Sequence, residues 1–134
     1  MNIRANSTFN AGDFARVEAL LVPRITAAVT QATDAVYQES QALVPVDTGN
    51  LHETAGTQVE DGAHAVKGYV VYPADYAAYV EFGTGQRGSS SSGAGPYSYS
   101  ETWPGMVAQP YLRPALDTAR PQIKAAFADA GFTI

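Results

Sequence analysis

Between Asp13 and Leu43 the apolar residues Val17, Leu21, Ile25, Ala28, Val29, Ala32, Val36 and Leu43 recur at steps of three and four. That period places them on one face of a helix and predicts a long amphipathic helix over 13–43. Asp13 stands where its carboxylate can cap the start. Pro23 lies inside the pattern; without an amide donor, and with a ring that crowds the preceding turn, it predicts a kink or the first turn of a second segment. Val44-Pro45-Val46 ends the helix, because the residue before a proline is pushed out of the α region. Asp47-Thr48-Gly49-Asn50 is a turn sequence, and Asn50 with Glu53 three residues on predicts a capped helical turn.

The period then falls to two. Residues 57–60 and 66–72 read as strands joined across Asp61-Gly62, a hairpin turn pair. Asp75 to Phe82 reads as a short helix with Asp75 as its cap, Gly83 closing it in a left-handed conformation, and Tyr76 and Phe82 in the core. From Thr84 to Ala108 there is no period, only a Gly-, Ser- and Tyr-rich stretch longer than a compact domain ordinarily carries without a use for it. Pro114 then stands where a last helix begins, and Leu116, Ala119, Ile123, Phe127 and Ala130 form a stripe that runs to Gly131 despite Pro121. This order predicts an α+β fold: a long N-terminal helix and a C-terminal helix packed on a small antiparallel sheet. It is read as one domain over 1–134, with 84–108 as an extended arm.

Composition narrows the function classes. A chain of 134 residues, 46% hydrophobic and 16% charged, is of single-domain size and can bury a modest core. It has no cysteine, which removes disulfides, thiolate metal sites and thiol nucleophiles. A formal charge of −5 argues against gripping nucleic acid through a positive surface. No apolar run is long enough to span a bilayer, and the first residues lack the hydrophobic core of a secretory signal, so a soluble protein made inside a cell, with no membrane partner, is expected.

Three motifs invite a chemical reading. Gly83-Thr84-Gly85-Gln86-Arg87-Gly88 has the spacing of a dinucleotide-binding loop, but that loop needs a strand before it and a helix after it, and here a predicted helix precedes and a serine run follows. Asp47-Thr48-Gly49 is the triplet of aspartic proteases, which requires the end of a buried strand; here a helix and Pro45 precede it, and a structural turn fits better. His52, Glu53, Glu60, Asp61 and His64 lack the paired spacing of a metal site. No catalytic residue, metal or cofactor is therefore expected. The aromatics carry more information. Tyr with Ser and Gly suits adaptable protein contacts, so Tyr97, Tyr99 and Trp103, with Tyr111 after them, are expected at an interface.

Three stretches taken together carry a resemblance: Val44-Pro45-Val46-Asp47-Thr48-Gly49-Asn50-Leu51, then Tyr76 to Gly85, then Gln109-Pro110-Tyr111-Leu112-Arg113-Pro114-Ala115-Leu116. In their order, and behind a long N-terminal helix, they resemble the neck and tail-completion proteins of long-tailed bacteriophages. The resemblance implies a non-enzymatic virion protein, made in the host bacterial cytoplasm, that assembles into a homo-oligomeric ring at the head–tail junction. Its implied partners are portal, adaptor or head-completion proteins on one side and tail-tube or terminator proteins on the other, with genomic DNA passing through the lumen without specific binding. A terminator ring capping the tail tube is the alternative, and a small aspartic-protease-like enzyme the reading from another class. Within the matching motifs, Asp47, Thr48, Gly49, Glu81, Gly83, Pro110, Arg113 and Pro114 are expected to keep the fold. Gly49 and Gly83 would take conformations closed to other residues, Pro110 and Pro114 would fix the entry to the last helix, and Arg113 would pair with Glu81.

Overall fold

The computed structural model describes residues 10–46, 49–84 and 104–133. Its element order is α1 (Ala11–Leu43), α2 (Asn50–Glu53), β1 (Gly56–Asp61), β2 (Val66–Val71), α3 (Ala77–Phe82) and α4 (Leu112–Asp129). The fold is α+β: two long helices and one short antiparallel hairpin, with Gly56 opposite Val71 and Asp61 opposite Val66.

Helix α1 runs unbroken for 33 residues, through Pro23. The proline costs the helix one backbone hydrogen bond, and its place on the exposed face leaves water to satisfy the carbonyl it frees. The cap is Asn10 rather than Asp13: the Asn10 side chain accepts from the Asp13 amide at 3.0 Å while the Asp13 carboxylate accepts from the Asn10 amide at 3.1 Å. This reciprocal pair satisfies two of the donors that a helix start leaves open.

Helix α4 lies antiparallel to α1. Its C-terminal Ala130 meets Arg24, whereas Tyr111 at its N-terminus reaches Ser40 of α1 through Tyr72. The buried residues between the helices are small, with Ala28 and Ala32 on α1 and Ala115, Ala119 and Ala126 on α4, so the two backbones can approach closely. The expected large-residue stripe of α4 is only partly core: Leu116 is 47% exposed. A second cluster joins Val44, Leu51, Ala77 and Tyr111. The hairpin crosses α1 at Gly68, where a Cβ would stand 1.8 Å from Thr33 Oγ1, closer than any side chain tolerates.

Several local expectations need correction. Gly49, at φ +78°, rather than Asn50 precedes α2, and Asn50 is the first helical residue. The hairpin turn is not the Asp61-Gly62 pair: Asp61 stays in β1, and the chain reverses over residues 62–65, with the Gly62 amide donating to the Ala65 carbonyl at 2.9 Å. Helix α3 starts at Ala77 with Tyr76 before it and no side-chain cap, so Asp75 does not serve as one. Tyr76 and Phe82, assigned to the core, are 37% and 43% exposed, because the short α3 turns only Ala77 and Glu81 fully inward.

Candidate functional site

The most constrained part of the molecule surrounds Glu81. Its side chain is 6% exposed, and one carboxylate accepts three backbone amides: Tyr111 N–H at 2.7 Å and Leu112 N–H at 2.9 Å on one oxygen, Arg113 N–H at 3.0 Å on the other. Pro114 has no amide to satisfy, and the Ala115 amide already donates within the helix to Tyr111 at 3.3 Å. The three amides at the start of α4 that the helix itself leaves open are thereby satisfied by one side chain 30 to 32 positions earlier. A carboxylate at a helix N-terminus also meets the positive end of the helix dipole. The expected pairing of Glu81 with the Arg113 side chain is corrected here: Arg113 contributes its backbone, and its guanidinium makes no ion pair among the described residues.

Tyr111 completes this clamp. It was expected at an interface, but it is wholly buried within the chain, donates its hydroxyl to the Ala77 carbonyl at 3.2 Å, and packs edge-on against Tyr72 with ring centroids 4.7 Å apart. A ring this size between α3 and α4 has no solvent face to offer a partner. Burial, with the neighbouring Glu81 carboxylate second, pushes the Tyr111 phenol well above its ordinary value of 10.0. Tyr72 extends the chain of contacts to α1, its hydroxyl bonded to Ser40 Oγ at 2.8 Å and accepting from Gln41 Nε2 at 3.0 Å.

The other end of α4 is held by a charge of opposite sign. Arg24 donates from Nε to the Ala130 carbonyl at 2.9 Å, donates again from a terminal nitrogen, and lies 5.4 Å from the centroid of the Phe132 ring. Gly131, at φ +86°, lets Phe132 N–H reach back to Phe127 and Gly131 N–H to Ala128, closing the helix end.

The stretch between α3 and α4 leaves from a fixed base. Gly83 has φ +70° with ψ 178°, a combination essentially reserved for glycine. Thr84 and Met106 exchange backbone hydrogen bonds at 2.8 and 3.1 Å, the Met106 amide also donates to Thr84 Oγ1 at 2.9 Å, and Gln109 N–H reaches Val80 at 2.8 Å. Thr84 is buried there, whereas Pro110 is exposed. Asp47, Thr48, Tyr97, Tyr99 and Trp103 lie outside the described residues.

Above the clamp an open cleft of about 780 Å³ runs between α1, β2, α3 and α4. Val36, Val70, Phe82, Leu116, Ile123 and Phe127 give it an apolar lining; Glu81 borders it with its carboxylate engaged, and Arg113 stands exposed at its edge. Sequence reading missed this cleft, although its signal is present: Leu116, Ile123 and Phe127 are large apolar residues on a helix whose contact with α1 uses alanines. Among the described residues no three His, Asp or Glu side chains converge as metal ligands would, and no helix is long and apolar enough to cross a membrane.

Shape-keeping hydrogen bonds beside a large open apolar surface are an arrangement that suits contact with other proteins. The family comparison agrees. Residues 14–83, just over half of the chain, match the HK97-gp10-like model, described as "Bacteriophage HK97-gp10, putative tail-component". The chain belongs to this family of bacteriophage tail components, which makes it a phage structural protein of the virion. It matches no curated protein and no solved structure.

Proposed function

We propose that this protein is a single-domain neck or tail-completion subunit that assembles into a homo-oligomeric ring at the head–tail junction of a tailed phage or prophage. The observation that carries the reading is membership of the tail-component family over residues 14–83. Two physical features support it. The apolar cleft and the exposed apolar residues Phe14, Val17 and Leu20 are surfaces that a working monomer would be expected to cover. The net charge of −5 suits a conduit through which DNA must slide, since a belt of Lys and Arg would bind phosphates and hold the genome back. On this reading the partners are the connector on the head side and the tube or terminator on the tail side, and the chain is not an enzyme. Residues 84–108 leave from the pinned base at Thr84 and Met106, and we assign Tyr97, Tyr99 and Trp103 to contacts with a neighbouring layer.

The test is to remove the gene from the phage that carries it and image the products. Filled heads and finished tails that do not join are expected. Overlong tails would reassign the protein to the terminator that caps the tube, and normally joined particles would refute both placements.

A further inference from the structure

Among the described residues two apolar surfaces are exposed, one convex and one concave. The convex one is the first part of α1. Phe14, Val17 and Leu21 continue, at helical steps, the line of Ile25, Ala28 and Ala32, yet the cover that α4 provides ends at Arg24, where Ala130 meets it. Every residue from Ala11 to Leu20 except Asp13 is exposed, with Phe14 at 65% and Val17 at 44%. The overhang is about 20 Å long, from 1.5 Å per residue. The concave surface is the cleft, whose α4 wall from Leu116 to Phe127 is about 16 Å long. The stripe from Phe14 to Leu21, about 10 Å, fits within that length.

We propose that the α1 overhang of one copy lies in the cleft of a second copy. This inference rests on the ring reading above and names the surfaces that meet. A chain cannot fill its own cleft this way, because α1 itself forms one wall through Val29 and Val36, and its first turns cannot fold back without breaking the helix. The charges match: Glu18, exposed and one turn from both Phe14 and Leu21, is acidic, and Arg113 at the cleft edge is an exposed cation with no ion pair among the described residues. The contact joins unlike surfaces, so its repetition closes a ring when the rotation between copies permits.

The absence of cysteine gives a direct test: Val17→Cys and Leu116→Cys introduced together and oxidised in the concentrated protein. Within one chain the two positions lie about 30 Å apart along the helices, far beyond the roughly 7 Å that a disulfide can bridge, so any 17–116 bond joins two copies. A covalent ladder of multimers is expected, with neither single variant giving more than dimers. In parallel, Val17→Asp should raise the concentration needed for assembly by about tenfold or more while leaving the circular dichroism spectrum unchanged. If the natural chain assembles but the double variant gives no ladder, or Val17→Asp assembles normally, the ring reading stands and this interface is wrong. A natural chain that stays monomeric at every concentration overturns the ring reading and this interface with it.

Discussion

The two ends of α1 carry the same apolar period and meet opposite surroundings. From Ile25 to Ser40 the helix is packed under α4 and the hairpin, Ala28 is 1% exposed, and Gly68 lies so close that no side chain fits there. From Ala11 to Leu20 the face that continues this stripe stands in solvent. Side-chain size differs accordingly. The fully buried residues of the covered end, Ala28, Ala32, Thr33 and Ser40, are small and let another backbone come near, whereas the open end exposes Phe14, Val17 and Leu20, which are costly to leave in water, at roughly 25 cal/mol per Å² of apolar surface. A 3.6-residue period therefore says that a helix has a face to bury, and not whether the burying surface belongs to the same chain.

The same chemical change at each end separates the two environments most sharply. Ala28→Asp puts an unpaired carboxylate between α1 and α4 and is expected to cost about 3–5 kcal/mol, a large share of the roughly 5–15 kcal/mol that a domain has, read as a strongly lowered midpoint in a thermal melt. Val17→Asp should leave monomer stability within about 0.5 kcal/mol. Equal destabilisation by the two would erase the distinction. Next in size is Glu81→Ala, which strips the start of α4 of three acceptor contacts at once. A loss of roughly 3 kcal/mol or more is expected in denaturant unfolding, since each buried donor left unsatisfied costs about 1–3 kcal/mol. A neutral result would mean that the clamp does not hold the cover over the packed end.

Gly68→Ala should cost about 1–3 kcal/mol through overpacking against Thr33. Thr33→Ala in the same chain should return part of that loss, because the nearest obstructing atom is the Thr33 hydroxyl; additive losses would show that the contact is not the cause. The smallest effect lies at high pH. The Tyr111 phenol titrates at 10.0 when unfolded and well above that when buried, so the folded state binds its proton more tightly. Its contribution is fully present below pH 10 and declines as pH rises past it, by up to about 1.4 kcal/mol per pH unit until the folded phenol itself ionises. Tyr111→Phe should flatten this decline, and an unchanged alkaline slope would place its origin elsewhere.

Much of the fold was legible in the sequence because it rests on local periodicity: both long helices, the hairpin and the short helix before Gly83 follow from steps of 3.6 and 2. What escaped was decided at a distance. The start of α4 carries no Ser, Thr, Asp or Asn cap, and its acceptor, Glu81, lies 30 residues upstream. Charge alone suggested pairing Glu81 with the Arg113 side chain, while the geometry used backbone amides. An uncapped helix start followed by proline was the available sign that a remote acceptor was needed. Its place after a Tyr-rich stretch suggests an interface role for Tyr111, but a ring beside a buried carboxylate is core. The cleft was invisible as such, since Leu116, Ile123 and Phe127 look like core residues until alanines are seen to make the helix contact instead.

The central claim is that this chain works as an oligomer whose copies cover each other's apolar surfaces. Native mass spectrometry of the natural chain over a rising concentration series tests it most directly. The account predicts that monomer gives way to one closed species of fixed subunit number, and that Val17→Asp, still folded, remains monomeric at concentrations where the natural chain has assembled. A natural chain that stays monomeric throughout, or a Val17→Asp variant that closes the same species at the same concentration, would contradict it.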